Sequence, residues 1–339
     1  MRKVAVVILN WNGRKFLKKF LPSVIKCNQG DCEIIIADNA STDSSIEFLQ
    51  ETYPQIRIIQ NLINGGFAKG YNDALKQIDA EYYVLLNSDI EVTSNWINPI
   101  IELMDNDHTI AACQPKLRSY DNPEMFEYAG AAGGFIDKYA YPFCRGRLFQ
   151  TVEKDTGQYD LISEIFWATG ACMFVRANLY HKFGGLDEDF FAHMEEIDFC
   201  WRLKNAGYKI MYCPQSIVYH VGGGTLPKIS SHKTYLNMRN NITMLFKNLP
   251  KKELFKVFIA RLFLDGIAAI KFLMDSGFQD FIAVLRAHFS FYAHFKINMK
   301  KRKKIKHIGV SSVYNGNIVV DYFLKKKRYF FELEESKFK

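Results

Sequence analysis

Glu195, Glu196 and Asp198 put three carboxylates within four residues, in the stretch EEIDFCWRLKNAG. On a helix starting there, Glu195 and Asp198 share a face and Glu196 points about 100° away. One carboxylate can then accept a proton from a reacting hydroxyl while its neighbours orient other groups. Acidic residues in a first helical turn also answer the macrodipole, and for any single one of the three that account suffices. The surrounding HMEEID is not HExxH, so its spacing excludes a zinc-protease pair. Other polar groups stand where apolar runs stop: Asp38-Asn39 after CEIIIA, Asn87-Ser88-Asp89 after YYVLL, and His220 after IVY. A histidine in that position serves equally well as a hydrogen-bonded structural residue.

The elements that must position these groups follow from periodicity. KVAVVILN, CEIIIAD, RIIQ and YYVLLN are short, continuously apolar runs, as expected of strands buried on both faces. RKFLKKFLPSVIKC, STDSSIEFLQETY and GFAKGYNDALKQI read as helices between them. Such alternation predicts an α/β fold, a mostly parallel sheet flanked by helices, with ligands bound outside the C-terminal ends of the strands. Asn10-Trp11-Asn12, Asp38-Asn39, the run from Asn61 to Gly66, and Asn87-Ser88-Asp89 then converge on one edge. Gly65, Gly66 and Gly70 allow close backbone approach and a helix N-terminus facing a phosphate. Neither GxGxxG nor a P-loop lysine is present, and a turn plus a helix start explains a glycine pair as well. Ser41 or Thr42 is expected to cap the helix after Asp38. MFEYAGAAGGFIDKYAYPFCRGRLF reads as an irregular loop or hairpin, and a strand pair is expected to end at His220.

With 339 residues, 48% of them hydrophobic, the chain can bury one large α/β domain plus an accessory segment. Its seven cysteines are scattered without a CxxC pair, which suggests neither a disulfide framework nor a zinc site and fits a reducing cytosol. The N-terminal apolar run, Val4 to Leu9, is too short for a signal peptide and reads as the first strand. Residues 251–339 hold 19 Lys and Arg against 8 Asp and Glu, a balance of +11 that leaves 25 against 28 for residues 1–250. The basic tail therefore points to an anionic surface as partner. At 100° per residue Phe255, Phe258, Ile259, Leu262, Phe263, Ile270 and Leu273 share a face, opposite Lys256, Arg261, Asp265, Lys271 and Asp275. Five charges argue against a span, leaving an amphipathic helix in a membrane interface or packed on the domain. The basic runs KINMKKRKKIK and KKKR suit an anionic cytoplasmic leaflet, or else form a solvated face. Nucleic acid is excluded as partner, since no recognition motif or basic main domain accompanies the charge.

In order, VVILNWNG, IIIADNASTDSS, NGGFAKGYNDAL, VLLNSDIEV, WATGACMFVRA, GGLDEDFFAHMEEIDFCWRLKNAG, CPQSIVYHVGG and YLNMRNNITMLFKN resemble the family 2 glycosyltransferases of GT-A fold, within them the rhamnosyltransferase-like branch. The resemblance covers residues 3 to about 248. It implies a GT-A domain over 1–248 and a helical, basic extension over 249–339. It also implies a nucleotide-diphosphate sugar donor, dTDP-rhamnose or a UDP-hexose, a glycan or lipid-linked acceptor, and inversion at the anomeric carbon. Asn10 and Trp11 would flank the nucleotide, Asp38 with Asn39 would meet the base, and Gly65, Gly66 and Asn72 would line the sugar-diphosphate side. Asn87, Ser88 and Asp89 occupy the DxD position, where Asp89, with His220, would hold Mg²⁺ or Mn²⁺. Gly170 and Ala171 would border the acceptor, and Glu196 would be the base. Asn87 replaces the first acid of DxD and removes a charge from the metal site. Glu196 replaces the usual Asp, so the role could pass to Glu195 or Asp198. A cell-surface glycan enzyme on the inner face of the membrane is the expectation. The alternative is a catalytically decayed nucleotide-sugar scaffold. A nucleotidyltransferase would need a basic glycine-rich signature after the first strand, and NWNGRKF lacks it.

Overall fold

A computed structural model describes residues 2–28, 30–222 and 230–339; Gly223, Gly224 and the five residues after them, which follow the His220 motif, lie outside these. Strand β1 (Arg2–Asn10), helix α1 (Arg14–Lys26), β2 (Cys32–Asp38), α2 (Ser45–Thr52), β3 (Arg57–Gln60), α3 (Gly66–Leu75) and β4 (Ala80–Asn87) form the alternating half. Val4, Val6 and Ile8 of β1 enter one core and Ala5 and Val7 the other, which is why the run is apolar at every position. Asn10 pairs with Asp38 across to β2, and Leu9 with Asn87 across to β4, so parallel registry sets the three polar strand ends side by side. The helix after Asp38 is not capped by Ser41 or Thr42: Asp43 accepts from the Ser45 amide at 3.1 Å, and the Ser41 hydroxyl is taken by Asn10 and Asn12.

The second half departs from the parallel pattern. It adds β5 (Ile90–Val92), α4 (Asn98–Asn106), β6 (Ile110–Ser119), a small sheet of β7 (Gly134–Asp137), β8 (Pro142–Cys144), β9 (Arg147–Leu148) and β10 (Thr151–Val152), then β11 (Ser163–Ile165), β12 (Cys172–Arg176), α5 (Ala177–Lys182), α6 (Glu195–Asn205) and β13 (Lys209–His220). The main sheet runs β11-β13-β6-β12-β4-β1-β2-β3, with β5 on β13. β12 lies antiparallel between β4 and β6, so the sheet is mixed and its parallel part is confined to β3-β2-β1-β4 and the β6–β13 pair. The strand pair expected before His220 is one strand, β13, irregular between Cys213 and Ile217.

Helices α7 (Ser231–Asn248), α8 (Lys251–Asp275), α9 (Phe278–Ala293) and α10 (Phe295–Lys303) follow. Helices α8–α10 supply the helical extension expected of 249–339; after them β14 (Val313–Tyr314) joins the small sheet beside β7, and the Ile318 amide donates to Asp137 at 3.0 Å. The larger surprise is α8. Its buried positions are Arg261, Asp265 and Ala269: Arg261 donates to the Tyr139 carbonyl at 2.7 Å and pairs with Asp265, which also accepts from Tyr141 at 3.0 Å. Phe255, Ile259, Phe263, Ile270 and Leu273 are exposed. A helical projection finds two faces but not which one meets the protein: the loop between β7 and β8 and helix α7 hold Arg261 and Asp265, Phe258 and Leu262 pack against the core, and Lys256, Lys271 and Asp275 stay exposed. Arg261→Met would leave Asp265 buried without its guanidinium partner, so unfolding stability is expected to fall by about 3 kcal/mol. The double replacement Arg261→Met with Asp265→Leu should recover much of that in denaturant titration. Among the described residues no helix is long and apolar enough to cross a membrane.

Candidate active site

Asp38 is buried at the β2 end, where one oxygen accepts from Asn10 Nδ2 at 3.0 Å and the other from the Ser41 amide at 2.9 Å. Asn39 continues the network to Asn64 and the Gly66 carbonyl, and Asn61 donates to Asn39. Asn10 Oδ1 is buried without a partner, and a Cβ on Gly13 would stand 2.4 Å from it. Trp11, 39% exposed, offers an aromatic face at this edge.

Two of the expected ligand-facing groups already have protein partners. The α3 N-terminus is already occupied by protein: the Phe67 amide donates to the Phe191 carbonyl at 2.7 Å, and Gly66 N–H to Asn64 at 3.0 Å. Gly66 has φ +80°, and a Cβ there would meet the Phe191 carbonyl at 2.5 Å, so this position needs glycine for a close backbone contact. Asn72 is likewise held by protein groups. Its amide donates to the Leu186 carbonyl and Glu188 and accepts from the Leu186 amide and Tyr180, so it braces the segment leading to the carboxylates.

Asp89 follows Asn87 and Ser88 out of β4, and its neighbour Ile90 in β5 pairs with His220 of β13. That registry puts Asp89 Oδ1 3.1 Å from His220 Nε2. His220 Nδ1 lies 3.4 Å from Glu127, an ion-pair contact without hydrogen-bond alignment. All three side chains are buried. Burial disfavours a charged imidazole, but Glu127 and Asp89 outweigh it and raise His220 to about 10; burial likewise pushes Asp89 up, and His220 holds it below the usual carboxylate range. Glu127 was not singled out in the sequence because it sits in an aperiodic loop; its only signal is a lone acid in an apolar, glycine-rich stretch.

Gly170 and Ala171 link this cluster to the carboxylates. The Ala171 carbonyl accepts from the Asn87 amide at 2.9 Å, and a Cβ on Gly170 would lie 3.8 Å from Glu196 Cβ. Glu195 and Glu196 each keep one buried oxygen without a partner. Burial and the neighbouring Glu196 raise Glu195 well above the carboxylate range, and burial, against amide donors from Glu196 and Ile197, raises Glu196 to about 7. Glu196 is the more accessible of the two. Asp198 is fully engaged elsewhere: it accepts from Lys247 and Arg202 at 2.9 Å and from Asn248 at 2.7 Å. It anchors α6 to α7.

Just before the carboxylates, Phe191, His193 and Met194 have φ of 63°, 71° and 74°. Such backbone costs roughly 1–3 kcal/mol per residue unless its surroundings impose it. Asn240 imposes it by donating to the carbonyls of Phe190, Ala192 and His193, and Arg239 adds bonds to Asp189 and Phe190. These α7 residues carry no chemistry of their own, and their spacing alone did not mark them. A cavity of about 800 Å³ is lined by Lys182, Arg202, Lys247, Lys304 and others but by none of Asp89, Glu195 or Glu196. The edge geometry, not cavity size, therefore locates the candidate site.

A mixed α/β sheet with a buried acid–imidazole cluster and raised carboxylates on one edge describes a GT-A-type transferase. The profile described as Glycosyl transferase family 2 matches residues 5–182, and this chain belongs to that family. It is 24% identical over 229 residues to the N-acetylglucosaminyl-diphospho-decaprenol L-rhamnosyltransferase of Mycobacterium tuberculosis, covering 63% of this chain and 75% of that one. Its fold is similar to S. aureus TarS 1-349 in complex with UDP-GlcNAc, with TM-score 0.58 and 14% identity over 97% of this chain and 93% of that one. It is also similar to GalNAc-T7 with UDP, GalNAc and Mn²⁺, with TM-score 0.57 and 17% identity over 73% of this chain and 48% of that one. The chain is a glycosyltransferase.

Proposed function

We propose that this enzyme moves a sugar, rhamnose or a hexose, from a dTDP- or UDP-linked donor to a hydroxyl of a lipid-linked or cell-surface glycan, with inversion, at the cytoplasmic face of the membrane. The observation that carries the reading is Glu196: a carboxylate raised to about 7, beside Gly170, on the edge that also holds Asp89. A base so poised takes the proton of the attacking hydroxyl efficiently near neutral pH. Attack from the side opposite the leaving diphosphate inverts the anomeric centre. Glu195, held in the protonated form, can donate a hydrogen bond instead of accepting a second proton. The rhamnosyltransferase relative, by its name, acts on a decaprenol-linked sugar, which supports the acceptor class.

The donor set fits a hard divalent cation shared with substrate. Among the described residues no three His, Cys, Asp or Glu form a metal cage, whereas Mg²⁺ and Mn²⁺ take most of their shell from phosphate and water. Asp89 would hold it; His220, kept protonated near neutral pH by Glu127 and Asp89, would become a second ligand only by giving up that proton. When bound, such an ion offsets the charge growing on the diphosphate. Asp38, fixed by Asn10 and Ser41, and Trp11 would receive the base. A thermal-shift screen of UDP, dTDP and GDP with Mg²⁺ or Mn²⁺ is expected to raise the melting temperature for UDP or dTDP, and only with metal. No shift with any nucleotide would overturn the reading. Release of nucleoside diphosphate on addition of a sugar donor and acceptor would eliminate the decayed scaffold.

A further inference from the structure

We propose that the α8–α9 hairpin is a monotopic membrane anchor: it lays its outward apolar face into an anionic bilayer and uses its charged face to hold the catalytic domain. The inference rests on the lipid-linked acceptor reading above and deepens it. Phe255, Ile259, Phe263, Ile267, Ile270 and Met274 recur every three or four residues and form one stripe along α8. Phe255, Phe263 and Met274 are 77%, 71% and 80% exposed. On α9, Phe278, Leu285, Phe289 and Tyr292 are exposed opposite the packed residues Ala283, Ala287 and Phe291. Together these side chains uncover several hundred Å² or more of apolar surface, at or beyond the largest patch of an ordinary soluble monomer.

The orientation is fixed and not a poorly packed helix. Arg261 and Asp265 occupy buried hydrogen-bonding positions against Tyr139, Tyr141 and Asn241, so turning the stripe inward would strand both charges. α8 has 25 residues and would lie about 37 Å along a surface. The charge suits anionic lipid. Residues 251–300 contain four acids: Asp265 and Asp280 are buried, Asp275 is paired with Lys271, and Glu253 is exposed in the first turn of α8. Lys251, Lys252, Lys256, Arg286, Lys296 and Lys300 lie on the same hairpin or just beyond it. A second copy would set this basic surface against itself. The run after Lys300 contributes less than its composition suggests: Lys301 pairs with Asp187 and Asp189, and Arg302 is buried against the Phe246 carbonyl. Apolar insertion should therefore hold the protein where charge alone would release it.

The test is co-sedimentation of the full chain with vesicles of phosphatidylcholine alone or mixed with phosphatidylglycerol. Binding is expected on the mixed vesicles and should persist in part at about 1 M salt, where the Debye length is about 3 Å. The double variant Phe263→Gln, Phe289→Gln should bind about tenfold less while keeping the wild-type melting temperature. Its transfer to a water-soluble acceptor should be unchanged and its transfer to a vesicle-embedded acceptor reduced. Absence of vesicle binding, complete release by salt, wild-type binding by the variant, or a dimer in sedimentation velocity that the variant dissociates would each overturn the anchor. Vesicle binding with no transfer from any donor would overturn the proposed activity and leave the anchor standing.

Discussion

Glu196→Gln is expected to lower turnover by about 10²–10⁴-fold, the range for removing a positioned general base, with little change in donor affinity. The wild-type rate should rise with pH through about 7, where Glu196 becomes the carboxylate, and the variant should lose that limb. Stability provides a second readout with opposite sign. Because the folded pKa lies above the unfolded value near 4.5, the folded protein binds the extra proton between them, and stability falls as pH rises across that window. Replacing the acid by an amide removes the penalty, so at pH 8 Glu196→Gln should be more stable than wild type by about 2 kcal/mol. A variant that is both stabler and inactive is hard to explain by misfolding. An unchanged rate would move the base to Glu195; Asp198, tied to Lys247, Arg202 and Asn248, is not available for it.

Asp89→Ala is expected to lower kcat/KM by about 10²–10³-fold, the scale for losing a group that stabilises charge on the leaving side. Its metal-dependent thermal shift with UDP or dTDP should vanish. Glu127→Gln provides the contrast: it leaves Asp89 and His220 in place and disturbs only the orientation of the imidazole, so about a 10–100-fold loss is expected. Isothermal titration of Mn²⁺ with nucleoside diphosphate would separate the two, since the first should abolish ternary binding and the second weaken it. Equal loss from both would mean that the cluster acts as a structural unit.

Much of the site could be read from the sequence because parallel strands bring their C-terminal ends together by construction. Once KVAVVILN, CEIIIAD and YYVLLN are strands, Asn10, Asp38 and Asn87 must be neighbours, and the registry shows them so. What could not be read depends on contacts far apart in sequence. Glu127 reaches His220 across 93 residues, which no spacing rule anticipates. The bonds that Asn72 and the α3 N-terminus make to the segment 186–191 could not be read either, since it lies more than 100 residues away. In α8 the periodicity separated two faces without saying which would meet the protein, since burying Arg261 is favourable only where Asp265 and the Tyr139 carbonyl already wait for it.

The left-handed turn ahead of Glu195 has a consequence for where this protein can be cut. Its carbonyls are held by Asn240, Asp198 by Lys247, and Asp187 by both Lys247 and Lys301. The residues that shape the carboxylate site thus come from both sides of position 248, and a chain ending there would keep its sheet but lose the Lys301 tether on that turn. The extension thus braces, through Asp187 and Asp189, the segment that leads to the carboxylates.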